Sequence, residues 1–264
     1  MLSKDEQQEL RNVAEEMAEA AREVTLRHFR SQTLNVDNKE LAGFDPVTIA
    51  DREAEKAMRR VLAMRRPDDA VFGEEFGRSA GSSGLTWVLD PIDGTRAFIS
   101  GAPSWGVLIG LDGGQGPLLG IVDQPFTGER FFGGFGGADW QRGSTPQPIH
   151  VRPCPGLESA ILMSTFPEIG TPQEATAFAA VSAQCKLTRY GLDCYAYALL
   201  AMGQIDLVIE AGLNAYDVQG PIGVIEGAGG IVTDWQGGPA HEGGQIIAAG
   251  DAGIHAAALA ILNG

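Results

Sequence analysis

The residues best placed to do chemistry lie in Trp87-Val88-Leu89-Asp90-Pro91-Ile92-Asp93-Gly94-Thr95, where an apolar run delivers two carboxylates and then Gly-Thr. The run WVL is too short for a helix and reads as a buried strand. Pro91 has no N–H to give to a ladder and should end that strand. Asp90 then stands at a strand's carboxyl end, where open α/β sheets place ligands. The turn at Pro91 lets Asp93 point into the same space. Gly94 permits close backbone approach, and Thr95 can open a short helix whose N–H groups face an anion. Two carboxylates beside such a helix start suggest a divalent metal together with phosphate. The alternative is an Asp-rich turn with a helix cap.

Other elements must bring further polar groups to that turn. The segment 35–46 reads as a loop or hairpin and carries Lys39 and Asp45. Thr48 with Asp51 is a helix-start signal, and Ala54, Met58, Val61 and Leu62 continue a helix that Pro67 stops. Taken alone, Thr48 and Asp51 are explained by capping. A short strand over 70–73 delivers Glu74 and Glu75; adjacent strand residues point to opposite sides, so only one of the two can join a site. Late in the chain Glu210 ends a strand, and Asp217 begins a helix with Val218, Ile222 and Ile225 on its apolar face. Asp217 is a natural N-cap, and it can equally carry a distant carboxylate to the DPIDGT turn.

The remaining pattern supplies the scaffold. Ser3 and Glu6 form a capping box before a long amphipathic helix with Leu10, Val13, Met17, Ala20 and Val24 on one face. Strands are expected at 107–111, 118–122 and 130–132, with glycines at 113, 114, 133, 134, 136 and 137 marking turns. From about Ser159, strands at 161–163, 187–190, 205–209, 231–233 and 246–249 alternate with helices at 172–185, 194–202, 217–229 and 252–262. That alternation argues for α/β layering. It divides the chain into an N-terminal α+β half, 1–150, with most of the candidate ligands, and a C-terminal α/β half, 151–264, with Asp217.

The 264 residues are 44% hydrophobic and 20% charged, an ordinary globular composition. A net charge of −15, from 34 acidic and 19 basic residues, argues against a nucleic-acid or anionic-membrane partner. It leaves room for a small phosphorylated substrate, because a bound metal can supply the positive charge. Cys154, Cys185 and Cys194 are odd in number and widely spaced, as expected of reduced thiols. The charged N-terminus lacks an apolar signal core and no run reaches membrane-spanning length, so a cytoplasmic protein is expected.

Together these pieces resemble the inositol monophosphatase family of Mg²⁺-dependent phosphatases. The likeness rests on Lys39…Asp45-Pro-Val-Thr-Ile-Ala-Asp51, Gly73-Glu-Glu, WVLDPIDGT and Asp217 followed by Gly227-Ala-Gly-Gly, in the family's order across nearly the whole chain. IDGTRAFISGAPSWGVLIGL, RYGLDCYAYALLAMGQIDLVIEAG and AYDV are closer to the branch that hydrolyses histidinol phosphate. The resemblance implies a layered αβαβα sandwich, an α/β fold. It implies that Glu74, Asp90 and the Ile92 carbonyl hold one Mg²⁺, that Asp90, Asp93 and Asp217 hold a second, and that Glu74 contributes to a weaker third. Gly94 and Thr95 would take the phosphate, while Asp51 and Thr95 position the attacking water beside the loop of Lys39 and Asp45. Glu210 matches a substrate-contacting position, and Arg189, Asp193 and Asn214 lie in segments that should line the same pocket. Asp193 and Glu210 would suit the ammonium and imidazole of histidinol phosphate. A homodimer is expected because the family often forms one.

The implied activity is a phosphoric monoester hydrolase acting on L-histidinol phosphate, with inositol 1-phosphate or a sugar phosphate as the alternative. Tyr216, Val218-Gln219-Gly220 and Leu192 depart from the family's usual residues but leave every implied ligand intact. Two residues separate Asp90 from Asp93, against the single residue of aspartyl-nucleophile phosphatases. There is no G-x-S-x-G elbow, no zinc spacing among the four histidines and no dinucleotide fingerprint. A metal-binding or interaction protein without turnover is the different-class alternative.

Overall fold

The structure, a computed structural model, describes residues 2–32, 36–38 and 46–264, so Lys39 and Asp45 lie outside the described residues. Helix α1 (Lys4–His28) opens on the expected box: Ser3 N–H donates to the Glu6 carboxylate at 2.7 Å, and Glu6 N–H donates to Ser3 Oγ at 3.2 Å. Strands β1 (Val36–Asn38) and β2 (Pro46–Thr48) pair antiparallel and lead into α2 (Ile49–Arg65). Next come β3 (Ala70–Gly73), β4 (Gly77–Ser79), β5 (Thr86–Asp93) and the short helix α3 (Thr95–Ser100). A meander follows: β6 (Gly106–Asp112), β7 (Pro117–Gln124), β8 (Glu129–Gly134), β9 (Gly137–Arg142) and β10 (Gln147–Pro148). The chain then alternates through β11 (Ile161–Ser164), α4 (Pro172–Ser182), β12 (Leu187–Tyr190), α5 (Cys194–Ala201) and β13 (Leu207–Asn214). It closes with α6 (Ala215–Gly227), β14 (Ile231–Thr233), β15 (Gly243–Ala249) and α7 (Ala252–Leu262).

Period-two alternation sorts the side chains of an eight-stranded sheet, ordered β10-β9-β8-β7-β6-β5-β3-β4, between two helix layers. Trp87, Leu89, Ile109, Leu111, Leu119 and Ile121 face α1 and α2, packing on Leu10, Met17 and Met58. Leu108, Val122 and Phe131 face the other way, into a core with Tyr197 of α5 and Val218, Ile222 and Ile225 of α6. A five-stranded sheet, β12-β11-β13-β15-β14, closes that core with Val208, Ile246 and Ala248. Its other face packs Leu207, Ile209 and Ile247 on Phe178 of α4 and Ile254 of α7. The result is the expected αβαβα sandwich. Among the described residues no helix is long and apolar enough to cross a membrane.

Helix α6 meets the large sheet backbone to backbone. A Cβ added at Gly120 would overlap the Gly220 carbonyl oxygen, and one at Gly133 would overlap that of Gly223. A Cβ at Gly110 would stand 2.8 Å from that of Gln219. β6, β7 and β8 therefore each place a glycine beneath the helix, and the helix returns Gly220, Gly223 and Gly227.

Several expectations are corrected. β5 does not stop at Pro91 but continues to Asp93; its register against β6 shifts between Asp90 and Asp93, and this irregularity is where a strand tolerates proline. Helix α6 begins at Ala215, so its N-cap is Asn214 and Asp217 is its third residue. Glu210 does not end its strand: β13 runs on to Asn214 past an irregularity. Gly133 and Gly134 lie in β8 rather than in a turn.

The glycine seam predicts that Gly120→Ala destabilises the fold by about 3 kcal/mol, the upper range for forcing atoms into a packed interior. Gly137→Ala, with open space around its would-be Cβ, should change stability little. Urea unfolding of both variants checks this, and equal effects would contradict it.

Candidate metal centre

Three carboxylates from two distant segments converge: oxygen atoms of Asp90, Asp93 and Asp217 all lie within 4.8 Å of one another. Asp90, 2% exposed, is central, because Glu74, Asp93 and Asp217 all crowd it with negative charge. The bulge in β5 turns the residues after Asp90 so that Ile92 N–H donates to Asp90 Oδ1 at 3.0 Å. The Ile92 side chain is fully buried with Phe29, Ala50, Phe98 and Trp105, which anchors the turn. The Ile92 carbonyl accepts the Thr95 hydroxyl at 3.1 Å. Glu74 leaves the end of β3 with its N–H on the Leu89 carbonyl at 3.1 Å, whereas Glu75 approaches Arg52 at 4.0 Å. The two neighbouring glutamates thus divide, and Glu74 is the one at the site.

Two of the carboxylates are held by helix starts. Asp217 accepts the Asn214 N–H at 2.6 Å. Asp51, the third residue of α2, accepts the Thr48 N–H at 2.8 Å and the Thr48 hydroxyl at 2.6 Å on one oxygen, and its other oxygen faces the Thr95 hydroxyl at 3.5 Å. A third helix contributes through its backbone: Cys194 N–H, at the start of α5, donates to Asp93 at 2.7 Å. Capping and site assembly are therefore one set of bonds.

The electrostatics follow from burying like charges together. Burial, then Glu74, Asp93 and Asp217, pushes Asp90 well above the usual carboxylate range. Asp93 rises through burial, Asp193 and Asp217, with the Cys194 N–H opposing. Burial lifts Asp217 to about 7 against its Asn214 bond, and lifts Asp51 to about 7 against its Thr48 bonds. A set of hard oxygen donors that repel one another is suited to a divalent cation such as Mg²⁺ or Ca²⁺.

On the C-terminal side, Asp193 caps α5 with φ 48° and ψ −141°, a backbone conformation costly for any residue but glycine. Its carboxylate accepts the Ser104 hydroxyl at 2.9 Å and lies so close to Gly94 that a Cβ there would come within 2.8 Å of it. Glu210, 6% exposed, accepts the Thr165 N–H at 2.6 Å, the Thr165 hydroxyl at 2.9 Å and the Ser164 hydroxyl at 3.2 Å. Burial still raises it to about 7. Asn214 is engaged with Asp217, and Arg189 stands exposed on the edge strand β12, joining none of the site's hydrogen bonds among the described residues. Ser104, Thr165 and Tyr197 were not visible as site residues in the sequence. The Tyr197 hydroxyl is buried without a hydrogen-bond partner among the described residues, with Glu210, Asp93 and Asp217 as its charged neighbours.

The layered fold and its carboxylate cluster mark the chain as an α/β protein whose acidic side chains could hold a hard cation. The sequence profile of the inositol monophosphatase family matches residues 6–263, and the chain belongs to that family of metal-dependent phosphatases. It is similar to the bifunctional phosphatase IMPL2, chloroplastic, of Arabidopsis thaliana, 41% identical over 262 residues, 95% of this chain and 74% of that one. It is 33% identical to a histidinol-phosphatase of Chlorobaculum parvum over 226 residues, 85% of each chain. Among solved structures it is similar to an inositol monophosphatase from Zymomonas mobilis, with a TM-score of 0.86, 39% identity and coverage of 99% and 100% of the two chains.

Glu210 carries a pH prediction. Its carboxyl binds a proton more tightly folded than unfolded, so its contribution to stability is full below its ordinary value of 4.5 and is lost as pH rises through about 7. The loss is on the order of 3 kcal/mol. Denaturant unfolding of the chelator-treated protein across that window should therefore slope downward with pH, and Glu210→Gln should make the slope shallower while Asp51 and Asp217 keep part of it. Parallel slopes in the two proteins would contradict the assignment.

Proposed function

We propose that the chain is a Mg²⁺-dependent phosphomonoesterase whose preferred ester is L-histidinol phosphate. The observation that carries the chemistry is the convergence of Asp90, Asp93 and Asp217, with Glu74 on Asp90. In this reading Glu74, Asp90 and the Ile92 carbonyl would hold one ion and Asp90, Asp93 and Asp217 a second, and Glu74 would also serve a weaker third. Bound Mg²⁺ supplies Lewis acidity that lowers the pKa of a water and neutralises charge on the leaving oxygen. Thr95 and Asp51 orient that water: Asp51 has one oxygen locked by Thr48 and the other on the Thr95 hydroxyl, which can pass a proton toward it. Gly94 and Thr95 present backbone N–H groups to the phosphate, and the chain needs no nucleophile of its own.

The substrate assignment rests on Asp193 and Glu210. A carboxylate pair on the organic side of the pocket suits a substrate that carries an ammonium and an imidazole, where charge-assisted hydrogen bonds are strongest. The likeness to the Chlorobaculum histidinol-phosphatase supports the same choice. Inositol 1-phosphate is the second reading, favoured by the 39% identity to the Zymomonas inositol monophosphatase. Asn214, bonded to Asp217, and Arg189, on the edge strand, would line the pocket's outer wall in this reading.

Phosphate release in the presence of Mg²⁺, compared on L-histidinol phosphate and inositol 1-phosphate, tests the proposal. Histidinol phosphate should be turned over with much the higher kcat/KM. Asp193→Asn and Glu210→Gln should each raise its KM roughly 10- to 100-fold, the worth of one hydrogen bond to a charged group. Asp90→Asn should remove activity on both esters. Preference for the inositol ester would replace the substrate assignment, and turnover unaffected by chelation would retire the mechanism.

A further inference from the structure

We propose that Glu55, with Arg59, is the positioning pair that fixes Glu74 for metal binding; the inference rests on the reading of Glu74 as a metal ligand. Asp51, Glu55 and Arg59 recur at i, i+4 and i+8 and so share one face of α2. Asp51 reaches the site directly. Glu55, 0% exposed, instead turns its carboxylate to the bend between β3 and β4 that carries Glu74. Its Oε2 accepts the Glu75 N–H at 2.7 Å, and its Oε1 accepts the Phe76 N–H at 3.3 Å and the Arg59 Nε–H at 2.7 Å. Arg59 then donates to the Gly77 carbonyl at 2.6 Å and the Ser79 hydroxyl at 3.3 Å, which ties down the far side of the bend. Gly73 completes the fit, because a Cβ there would overlap the Glu55 carboxylate.

Glu74 is thus fixed on both sides. Its own N–H is held by the Leu89 carbonyl of β5, the strand that carries Asp90, and the next N–H is held by Glu55. A purely structural account fits the location poorly. β4 is the sheet's edge strand, its Arg78 and Ser79 are exposed, and it adds no side chain to the buried clusters. A buried ion pair is seldom more stabilising than apolar packing of the same volume. What Glu55 and Arg59 secure is the placement of Glu74 relative to Asp90 and Asp51. Residues that orient metal ligands typically alter affinity 10- to 100-fold when replaced.

Calorimetric titration with Mg²⁺ on the wild type, Glu55→Gln, Glu74→Gln and the double variant decides the matter, with circular dichroism to monitor folding. The amide at residue 55 keeps the side chain's shape but cannot accept both N–H groups and Arg59. Glu55→Gln should weaken Mg²⁺ binding roughly 10- to 100-fold, and it should add no further loss once Glu74 is already Gln. Equal losses in both backgrounds would show a general structural effect and overturn the proposal. Unchanged binding in Glu55→Gln with a loss in Glu74→Gln would overturn the positioning role and leave Glu74 a ligand. Unchanged binding in Glu74→Gln would instead remove the metal reading of Glu74, and the proposal with it. Should Glu55→Gln fail to fold, Arg59→Gln carries the same cycle, and no weakening there overturns the proposal.

Discussion

The contact on which the rest of the structure depends is that between the backbones of α6 and of β6, β7 and β8. Gly110, Gly120 and Gly133 lie opposite Gln219, Gly220 and Gly223, and side chains at these glycines would lift the helix off the sheet. Protein interiors are packed too tightly to absorb such a displacement locally. The helix begins two residues before Asp217, so its depth sets how far that carboxylate reaches toward Asp90 and Asp93. The aliphatic side chains of α6 join the core shared with β13 and β15, which ties the small sheet to the same registration. Pro221 lies within this helix and has no N–H for the Asp217 carbonyl four residues back. The first turn of α6 is therefore held more by its cap and by the sheet than by its own ladder.

A second economy lies in the helix starts. Asp51 and Asp217 are each the third residue of a helix, and each gives one oxygen to the N–H of its cap residue. That bond satisfies an orphan donor and fixes the side chain's rotamer. In Asp51 the other oxygen is thereby aimed at Thr95. The local and the functional explanation of such a residue are not rivals, since the cap is how the carboxylate is oriented. Gathering these acids near one another raises their proton affinities and works against the fold's stability. The three layers of apolar core carry that burden, and departures from local preference concentrate at the site.

The layered fold was legible because it rests on periodicity. Alternate residues of β5 to β8 divide cleanly between the two helix layers, and the Ser3–Glu6 and Thr48–Asp51 boxes form as their spacing predicts. The central carboxylates were legible because DPIDGT sets two of them at close spacing just after an apolar strand. What escaped were features that local sequence does not encode. Proline normally ends a strand, but a register shift against β6 accommodates Pro91 and carries β5 to Asp93. Gly133 reads as a turn signal, yet it lies inside β8 because a helix crosses above it, as it does above Gly110 and Gly120 of the neighbouring strands. Glu55 is a charged residue on α2 that no sequence motif singles out, although Ala54 and Met58 beside it mark a buried face. Its only sequence signal is the spacing from Asp51, which has meaning once the bend at Glu74 is known to lie beneath it.

Asp193, at the start of α5, approaches the turn of the carboxylate cluster at Gly94. Asp193 holds a backbone conformation that costs on the order of 1–3 kcal/mol for a non-glycine residue, and a neighbouring serine fixes its carboxylate. Gly94, with φ 79°, accepts that carboxylate only because it lacks a side chain. The residue after Asp193 donates its N–H to Asp93, so any shift of Asp193 is felt one bond later at the cluster. The strain at Asp193 therefore has a use that packing alone would not explain. It keeps a carboxylate facing the glycine that follows Asp93, while the chain on either side serves α5 and β12. A shift of Asp193 cannot leave the geometry around Asp93 untouched, because the next residue's N–H and the close approach to Gly94 tie the start of α5 to the carboxylate cluster.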